Sequence, residues 1–227
     1  DRAGVANSTL VIVTADNGCS APVSGAADLV GRGHFPSAGF RGYKSDIWEG
    51  GHRVPFVACW PGSIAPGTSS GHLACLTDLL ATCADIIGAP LPPDGGPDSV
   101  SLLPALTAHD AKPAREAVVH HSIQGRFAIR QGRWKLCLCP GSGGWSQPTD
   151  EQARRAGLPD VQLYDLEADP AEARNLSAAH PDVVARMREL LDGIVANGRS
   201  TPGPPLPNDA VVSVAATSDA RRRIPRE

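Results

Sequence analysis

The stretch that decides the fold is Thr9-Leu10-Val11-Ile12-Val13-Thr14-Ala15-Asp16-Asn17-Gly18. Its first six residues are apolar or β-branched and a turn signal follows, which predicts a buried strand over residues 9–14. Asn-Gly is also a hairpin signal, but no partner strand follows within a few residues. We therefore expect Asp16 and Asn17 beyond the carboxyl end of a strand, where open α/β sheets bind ligands.

These two side chains offer oxygen atoms to a cation. A carboxylate and an amide carbonyl are hard ligands that suit Ca²⁺ or, less well, Mg²⁺. Two ligands do not complete a site of six or more, so other parts of a protein must contribute. The dipeptide also fits an ordinary turn, and both interpretations stay open at this point.

A second segment carries a candidate anion-binding group. It reads Gly42-Tyr43-Lys44-Ser45-Asp46-Ile47-Trp48-Glu49-Gly50-Gly51-His52-Arg53-Val54-Pro55 and leads into a predicted strand over residues 54–60. Lysine is usually solvated, but glycines around Lys44 allow the backbone to approach closely. Its ammonium would suit a sulfate or phosphate oxygen. We expect Glu49 and Arg53 to form an internal ion pair, and His34 and His52 to be surface or structural residues.

Composition bounds the class of protein. The chain has 227 residues with 41% hydrophobic and 20% charged residues, enough for a folded core. A net charge of −3 excludes a strongly basic nucleic-acid binder. No apolar run approaches the length of a membrane span, and the first residues do not have the pattern of a signal peptide. The compartment is therefore left open.

Cysteine usage gives no metal motif. The six cysteines include no C-x-x-C pair, so a zinc ribbon or thioredoxin-like motif is not predicted. Cys137 and Cys139 alternate with leucines, which places both on one face of a strand as small buried residues.

The spacing of apolar residues predicts helices in the first part of the chain and mainly strands after it. Apolar residues from Leu76 predict a helix that ends at Gly88, with Thr77 as a possible cap, and Asp98-Ser99 opens a shorter helical piece up to about Leu106. Four strands are then predicted, over residues 117–121, 126–130, 134–138 and 161–166. A last helix from Pro181 to Gly198 should cover one face of the resulting antiparallel sheet.

These patterns predict an α/β portion over residues 1–110, a sheet-and-helix subdomain over 111–198, and an extended or disordered tail over 199–227. The glycine-rich segment 141–144 lacks the phosphate-loop pattern and is predicted to be a flexible connection. Arg221-Arg222-Arg223 fits a solvated tail better than a docking site.

His120 and His121 form another candidate pair. Alternation along a strand sends their rings to opposite faces, so one should be packed while the other lines a pocket. A packed or surface role for both is equally compatible with so short a motif.

Several spaced motifs together resemble the type I sulfatases, the arylsulfatase-like branch of the alkaline-phosphatase superfamily. The resemblance rests on Thr14-Ala15-Asp16-Asn17-Gly18, on Lys44 with Glu49-Gly50-Gly51-x-Arg53-Val54-Pro55, and on Trp60-Pro61-Gly62. Later segments agree, and they are Thr77-Asp78-Leu79-x-Ala81-Thr82, Asp98-Ser99-x-Ser101-Leu102-Leu103-Pro104 and Leu163-Tyr164-Asp165-Leu166-x-x-Asp169-Pro170-x-Glu172-x-x-Asn175-Leu176. They appear in the family's order over about residues 5–200.

The resemblance implies a fold and a chemistry. The fold would be the C-terminal part of an alkaline-phosphatase-like α/β sandwich, followed by a small four-stranded antiparallel sheet with a packed C-terminal helix. Asp16 and Asn17 would be calcium ligands, and Lys44 would contact the sulfate of the substrate. Separately from the resemblance, His120, His121 and the loops around residues 140–160 are expected to shape a polar pocket, which would suit a sulfated carbohydrate. Such proteins are often periplasmic, secreted or lysosomal.

The chain also departs from the family pattern. The family's nucleophile is a formylglycine made from the Cys or Ser of C/S-x-P-x-R, and Cys19-Ser20-Ala21-Pro22-Val23 does not match it. The family's N-terminal Asp-Asp pair and its G-K-x-H segment are absent as well. We therefore expect a sulfuric ester hydrolase whose active site this chain supplies only in part, inactive without an N-terminal half. The alternatives are a non-catalytic module derived from a sulfatase and a phosphoryl-transfer relative.

Overall fold

The computed structural model describes residues 2–21, 25–108 and 112–214 and shows a mixed α/β chain. The first portion contains a short 3₁₀ helix (Ala6–Ser8), β1 (Val11–Thr14), α1 (Ala26–Gly31), α2 (Glu49–His52), β2 (Phe56–Cys59), α3 (Asp78–Ile87) and α4 (Leu103–Thr107). The second contains β3 (Val118–His121), β4 (Phe127–Gln131), β5 (Trp134–Cys137), α5 (Asp150–Arg155), β6 (Gln162–Asp165) and α6 (Pro181–Asn197).

The two strands of the first portion form an isolated antiparallel ribbon. Val11 pairs with Cys59 and Thr14 with Phe56, so both strands exist where the sequence predicts them. The prediction that β1 is buried is wrong, because Val13 is 63% exposed and Val57 is 61% exposed. Among the described residues no further strand pairs with either edge of this ribbon. The side chains of Val11, Val13 and Val57 are also exposed on its face.

The helices of the first portion follow the predictions with two corrections. The α3 helix ends at Gly88, whose φ of +67° lets it adopt the left-handed conformation that closes a helix. Thr77 does not cap α3 with its side chain, because its hydroxyl donates to the Asp98 carbonyl instead. The α4 helix begins at Leu103, later than predicted, and the Ser99 hydroxyl accepts a hydrogen bond from the Ala81 amide.

The second portion is the predicted antiparallel sheet, with the strands in chain order β3-β4-β5-β6. The β4–β5 hairpin closes over Gly132 and Arg133, and Gly132 has the positive φ that a two-residue turn requires. Pairing aligns Ile129, Leu136 and Leu163 across β4, β5 and β6. Alternation therefore puts these three side chains on one face of the sheet.

That face packs against α6, as the sequence predicts. Val183, Met187 and Leu191 recur at helical spacing and join the aligned sheet residues in one buried cluster. The helix begins at Pro181, a favoured first position, and ends at Gly198 in the left-handed conformation.

The opposite face of the sheet is also covered, which the sequence did not reveal. Ile47 and Trp48, from the loop that follows Lys44, pack on this face and are almost fully buried. The residues that join them in this cluster lie in the strands or just beyond their ends, namely Ala128, Cys137, Cys139, Tyr164 and Leu166. Both cysteines are free and inaccessible, in agreement with the prediction. Burial raises the pKa of the Cys137 thiol to about 12.

Two further predictions need correction. Residues 141–144 are a buried, hydrogen-bonded segment rather than a loose connection, and the Asp150 carboxylate accepts hydrogen bonds from the Gly141 and Gly143 amides. The helix α5 that follows begins with a capping box formed by Thr149 and Gln152, a signal that the sequence contains. Arg199, at the start of the predicted tail, donates to the Pro93 carbonyl and is therefore docked. Arg221-Arg222-Arg223 lies outside the described residues.

Candidate active site

The site is built where two loops cross. The Gly18 amide donates to the Gly51 carbonyl at 3.0 Å, and the Lys44 amide donates to the Cys19 carbonyl at 2.9 Å. A Cβ atom on Gly18 would collide with the Gly50 carbonyl, so glycine is required at this crossing. The backbone geometry thus brings the Asp-Asn-Gly and Glu-Gly-Gly motifs into direct contact.

A cavity of about 750 Å³ opens at this crossing. All five residues predicted for the site line it: Asp16, Asn17, Lys44, His120 and His121. They come from the end of β1, from the loop before α2, and from β3. The cavity therefore lies between the two portions of the chain.

Two oxygen donors stand at one side of this cavity. The Asn17 side chain donates its Nδ2 to the Gly18 carbonyl at 2.9 Å, which leaves Oδ1 available as an acceptor. Asp16 is exposed, and its carboxylate has no ion pair among the described residues. This donor set suits a hard cation, although no cluster of three acidic, histidine or cysteine side chains accompanies it in the described part of the chain.

Lys44 presents a cation that nothing nearby neutralises. No carboxylate lies within salt-bridge distance of its ammonium in residues 2–21, 25–108 and 112–214. The closest carboxylate in sequence, Asp46, is fully buried and points elsewhere. It accepts hydrogen bonds from the Tyr43 amide at 2.9 Å, the Trp145 amide at 2.9 Å and the Ser146 amide at 3.0 Å. An unpaired ammonium in a cavity is suited to bind an anion.

A buried ion network fixes the loop that carries Lys44. The Lys135 ammonium, from β5, lies 3.0 Å from a Glu49 carboxylate oxygen and 3.0 Å from a Glu172 carboxylate oxygen. Glu172 also accepts a hydrogen bond from the Glu49 amide at 2.6 Å. Burial alone would lower the pKa of Lys135, but attraction to Glu172 and Glu49 outweighs it and raises the pKa. Lys135 is therefore a permanent cation that links β5 to the start of α2.

Glu49 has two further cationic partners. Arg53 lies 3.1 Å from its carboxylate, so the predicted ion pair is confirmed, and Arg130 lies 3.4 Å away. Burial raises the pKa of Glu49, but Lys135, Arg130 and Arg53 together outweigh burial and lower it. The sequence did not identify Lys135 or Arg130 as partners. The only signal was a lysine between apolar residues in a predicted strand.

The rings of His52 and His120 contact each other at the wall of the cavity with their planes tilted by 45°. Their ring centroids are 4.1 Å apart, and the Nε2 atoms of both rings are buried without a hydrogen-bond partner in the described residues. Burial, followed by the nearby Lys135 cation, lowers the pKa of His52 to about 4. The same two causes lower the pKa of His120. Both rings are therefore neutral at pH 7.

His121 differs from its neighbour. It is exposed and contacts Phe127 edge to face, with ring centroids 5.1 Å apart. The two histidines thus have the unlike environments that alternation along β3 predicts, and both still line the cavity.

Comparisons with known proteins agree with these motifs. The family model described as Sulfatase matches residues 1–89. The chain is 33% identical over 202 residues to N-acetylgalactosamine-6-O-sulfatase of Bacteroides thetaiotaomicron, covering 86% of this chain and 38% of that protein. It is 34% identical over 201 residues to human arylsulfatase A, covering 82% of this chain and 38% of that protein.

Solved structures give the same result. One from Bacteroides thetaiotaomicron, described under the metabolism of multiple glycosaminoglycans, matches with a TM-score of 0.71 at 32% identity, covering 84% of this chain and 39% of that chain. A sulfatase from Pseudoalteromonas sp. matches with a TM-score of 0.65 at 25% identity, covering 86% of this chain and 38% of that chain. No helix in the described residues is long and apolar enough to cross a bilayer.

The chain spans less than half the length of the relatives it matches. This chain belongs to the sulfatase family.

Proposed function

We propose that this chain supplies part of the active site of a calcium-dependent sulfate ester hydrolase. The observation that carries the proposal is the shared cavity of Asp16, Asn17 and Lys44, in which the ammonium has no ionic partner in the part of the chain that the structure describes. Asp16 and Asn17 offer oxygen ligands to a metal ion, and the Lys44 ammonium offers positive charge to the sulfate group. These are the groups that a metal-dependent hydrolysis of a sulfate ester requires. Residues 1–110 and 111–198 would be the two domains that enclose this cavity.

Asp16 and Asn17 are the proposed metal ligands. The Asp16 carboxylate brings charge, and the Asn17 amide is oriented by its bond to Gly18 so that Oδ1 can coordinate. When bound, Ca²⁺ would supply positive charge beside the sulfate oxygens and orient them. The remaining ligands must come from outside this pair, because calcium takes six to eight oxygens.

Lys44 is the proposed sulfate contact. Its ammonium would stabilise the negative charge on a sulfate oxygen as the S–O bond to the alcohol breaks. The Lys44 amide is tied to Cys19, close in sequence to Asn17. Metal ligands and cation are therefore held in one backbone unit.

His120 and His121 are proposed to contact the alcohol portion of the substrate. A neutral His120 is a poor proton donor at pH 7, so we assign it a binding role rather than that of the acid. A sulfated carbohydrate is the favoured substrate class, because a relative at 33% identity is named for N-acetylgalactosamine 6-O-sulfate hydrolysis. A sulfated steroid is the competing substrate class, because the chain is also 32% identical to mouse steryl-sulfatase.

The nucleophile would come from a segment equivalent to the N-terminal portion of a sulfatase. The chain has no C/S-x-P-x-R motif, whereas the sulfatases it matches are more than twice as long. We propose that a polypeptide equivalent to the rest of those relatives completes the site.

Turnover of an aryl sulfate tests this function. The chain would be assayed alone and together with an N-terminal sulfatase portion that carries the modified nucleophile. We expect no turnover by either part alone, and turnover by the pair that disappears with EGTA and returns with Ca²⁺. Hydrolysis of an aryl phosphate but not an aryl sulfate would favour the phosphoryl-transfer alternative. Absence of both activities in a pair that demonstrably associates would favour a non-catalytic module.

A further inference from the structure

Two large apolar side chains are exposed beside the candidate active site. Trp145 is 51% exposed and Ile123 is 59% exposed. Ile123 lines the cavity, and Trp145 follows the buried segment 141–144. A half-exposed tryptophan next to a cavity is typical of a binding surface, since its flat ring offers a large contact area.

Both residues are anchored on the same neighbour of Lys44. The Ile123 amide donates to the Ser45 carbonyl at 3.0 Å, and the Trp145 amide donates to the Ser45 hydroxyl at 3.2 Å. The Gln124 side chain bridges the two rim segments by donating to the Gly144 carbonyl at 3.4 Å. The apolar rim therefore lies immediately next to the proposed sulfate contact.

The backbone under Trp145 is held firmly. Its amide also donates to the buried Asp46 carboxylate at 2.9 Å, and the Ser146 amide does so at 3.0 Å. Ser45 has a φ of +88°, an uncommon conformation for serine that these contacts maintain. Because this backbone is already fixed, only the side-chain torsions of Trp145 lose freedom when a ligand covers the ring.

We propose that Trp145, with Ile123 beside it, is a stacking platform for the apolar face of a pyranose ring next to the sulfated residue of the substrate. The proposal rests on the proposed function and extends it from a single sulfated sugar to an oligosaccharide. A pyranose presents C–H groups on one face, which complement the electron-rich face of an indole, and hydroxyls at its edge. The sulfate would face Lys44 while the neighbouring ring, which carries no sulfate, covers Trp145.

Binding to the intact chain tests the platform without catalysis. Tryptophan fluorescence and calorimetry would follow titration with N-acetylgalactosamine 6-sulfate, a chondroitin 6-sulfate tetrasaccharide and its unsulfated counterpart. We expect the sulfated tetrasaccharide to bind about 10-fold more tightly than the monosaccharide, and Trp145→Ala to remove that gain. Trp145→Phe should keep part of it. Leu158→Ala, which also removes an exposed apolar side chain, should leave it unchanged.

The outcomes separate the two proposals. Lys44-dependent binding of the monosaccharide, with identical tetrasaccharide affinity in the Trp145→Ala variant, would overturn the platform alone. Trp145-dependent binding of the unsulfated tetrasaccharide, with no preference for sulfate, would leave the platform standing and count against the proposed function. Binding of dehydroepiandrosterone sulfate through Trp145 in place of the tetrasaccharide would overturn the pyranose assignment, as would no binding of any saccharide.

Discussion

The two antiparallel sheets of this chain have strands of similar length and opposite environments. All four residues of β6 are buried, whereas three of the four residues of β2 are exposed. The four-stranded sheet is covered by α6 on one face and by Ile47 and Trp48 on the other. The β1–β2 ribbon has no such cover among the described residues. Burial is therefore decided by what packs on a strand and not by its composition, since the exposed β2 (FVAC) is more apolar in sequence than the buried β6 (QLYD).

This contrast has a consequence for the site. Asp16 and Asn17 follow the exposed ribbon, whereas the loop carrying Lys44 is clamped to the buried sheet through Glu49, Lys135 and Glu172. The position of Lys44 should thus depend on the sheet, and the positions of Asp16 and Asn17 should depend on partners of the ribbon.

The largest effect is expected from removing the buried cation. Lys135→Met leaves Glu49 and Glu172 buried without their shared partner, so the free energy of unfolding should fall by about 3–5 kcal/mol. Urea denaturation measures this change. Arg155→Ala, which breaks a fully solvated pair with Glu151, is the matched control and should cost less than about 1 kcal/mol. Equal effects of the two variants would show that the network does not hold the loop.

A core truncation compares the two sheets directly. Leu163 is fully buried against α6, so Leu163→Ala should lower the free energy of unfolding by about 2–5 kcal/mol. Val13→Ala, in the exposed strand β1, should cost less than about 1 kcal/mol. Thermal unfolding of both variants measures the difference. A large cost at Val13 would mean that the ribbon is covered in solution.

The dependence of stability on pH tests the burial of His52 at the wall of the cavity. The pKa of His52 is about 4 in the folded chain and 6.5 ordinarily, so between these values the unfolded chain binds more protons. Stability should therefore fall as the pH drops from 6.5 towards 4, by on the order of 2 kcal/mol from this group. Burial causes most of this shift and the Lys135 cation adds to it, whereas Glu49 opposes it.

Unfolding measured at several pH values should show a flatter profile for His52→Leu, with exposed His34→Asn as the control. Burial is the main cause that raises the pKa of Glu172, so this carboxyl makes stability rise as the pH falls, opposite to His52. Comparing His52→Leu with the unsubstituted chain cancels this contribution, because both contain Glu172. A profile for His52→Leu that matches the unsubstituted chain would contradict the assignment.

The smallest effect on stability is expected in the ribbon itself. Val57→Thr keeps a β-branched shape on an exposed strand, so the free energy of unfolding should change by less than about 0.5 kcal/mol. Light scattering at high concentration should nevertheless show less association, because an exposed apolar strand promotes it. Unchanged association would indicate that these strands are not the contact surface.

Local patterns predicted much of the fold. Alternation predicted β3 to β6, helical spacing predicted α3 and α6, and Gly88 and Gly198 marked their ends, because each of these features depends on neighbours in sequence. The cover on the second face of the sheet was not predictable, since Trp48 meets Gln162 across more than 100 residues. The capping box at Thr149 is present in the sequence, but only as a short pattern.

The site shows the same division. Asp16, Asn17 and Lys44 were predicted from glycine-rich motifs and family resemblance, and the structure places them at one cavity. The Lys135 network was not predicted, because a lysine within a strand normally indicates an exposed position and its carboxylate partners lie 86 residues before it and 37 residues after it in the sequence. Only the folded chain shows that the sheet supports the loop that carries Lys44.

Turnover by a Lys44 variant tests the central claim most directly. The chain would be paired with an N-terminal sulfatase portion, and kcat/KM for an aryl sulfate would be compared between Lys44→Ala and Lys112→Ala, an exposed lysine that does not line the cavity. We predict a loss of about 100-fold or more for Lys44→Ala and near-unchanged activity for the control. Near-normal kinetics for Lys44→Ala would contradict the assignment of this cavity as the sulfate ester site.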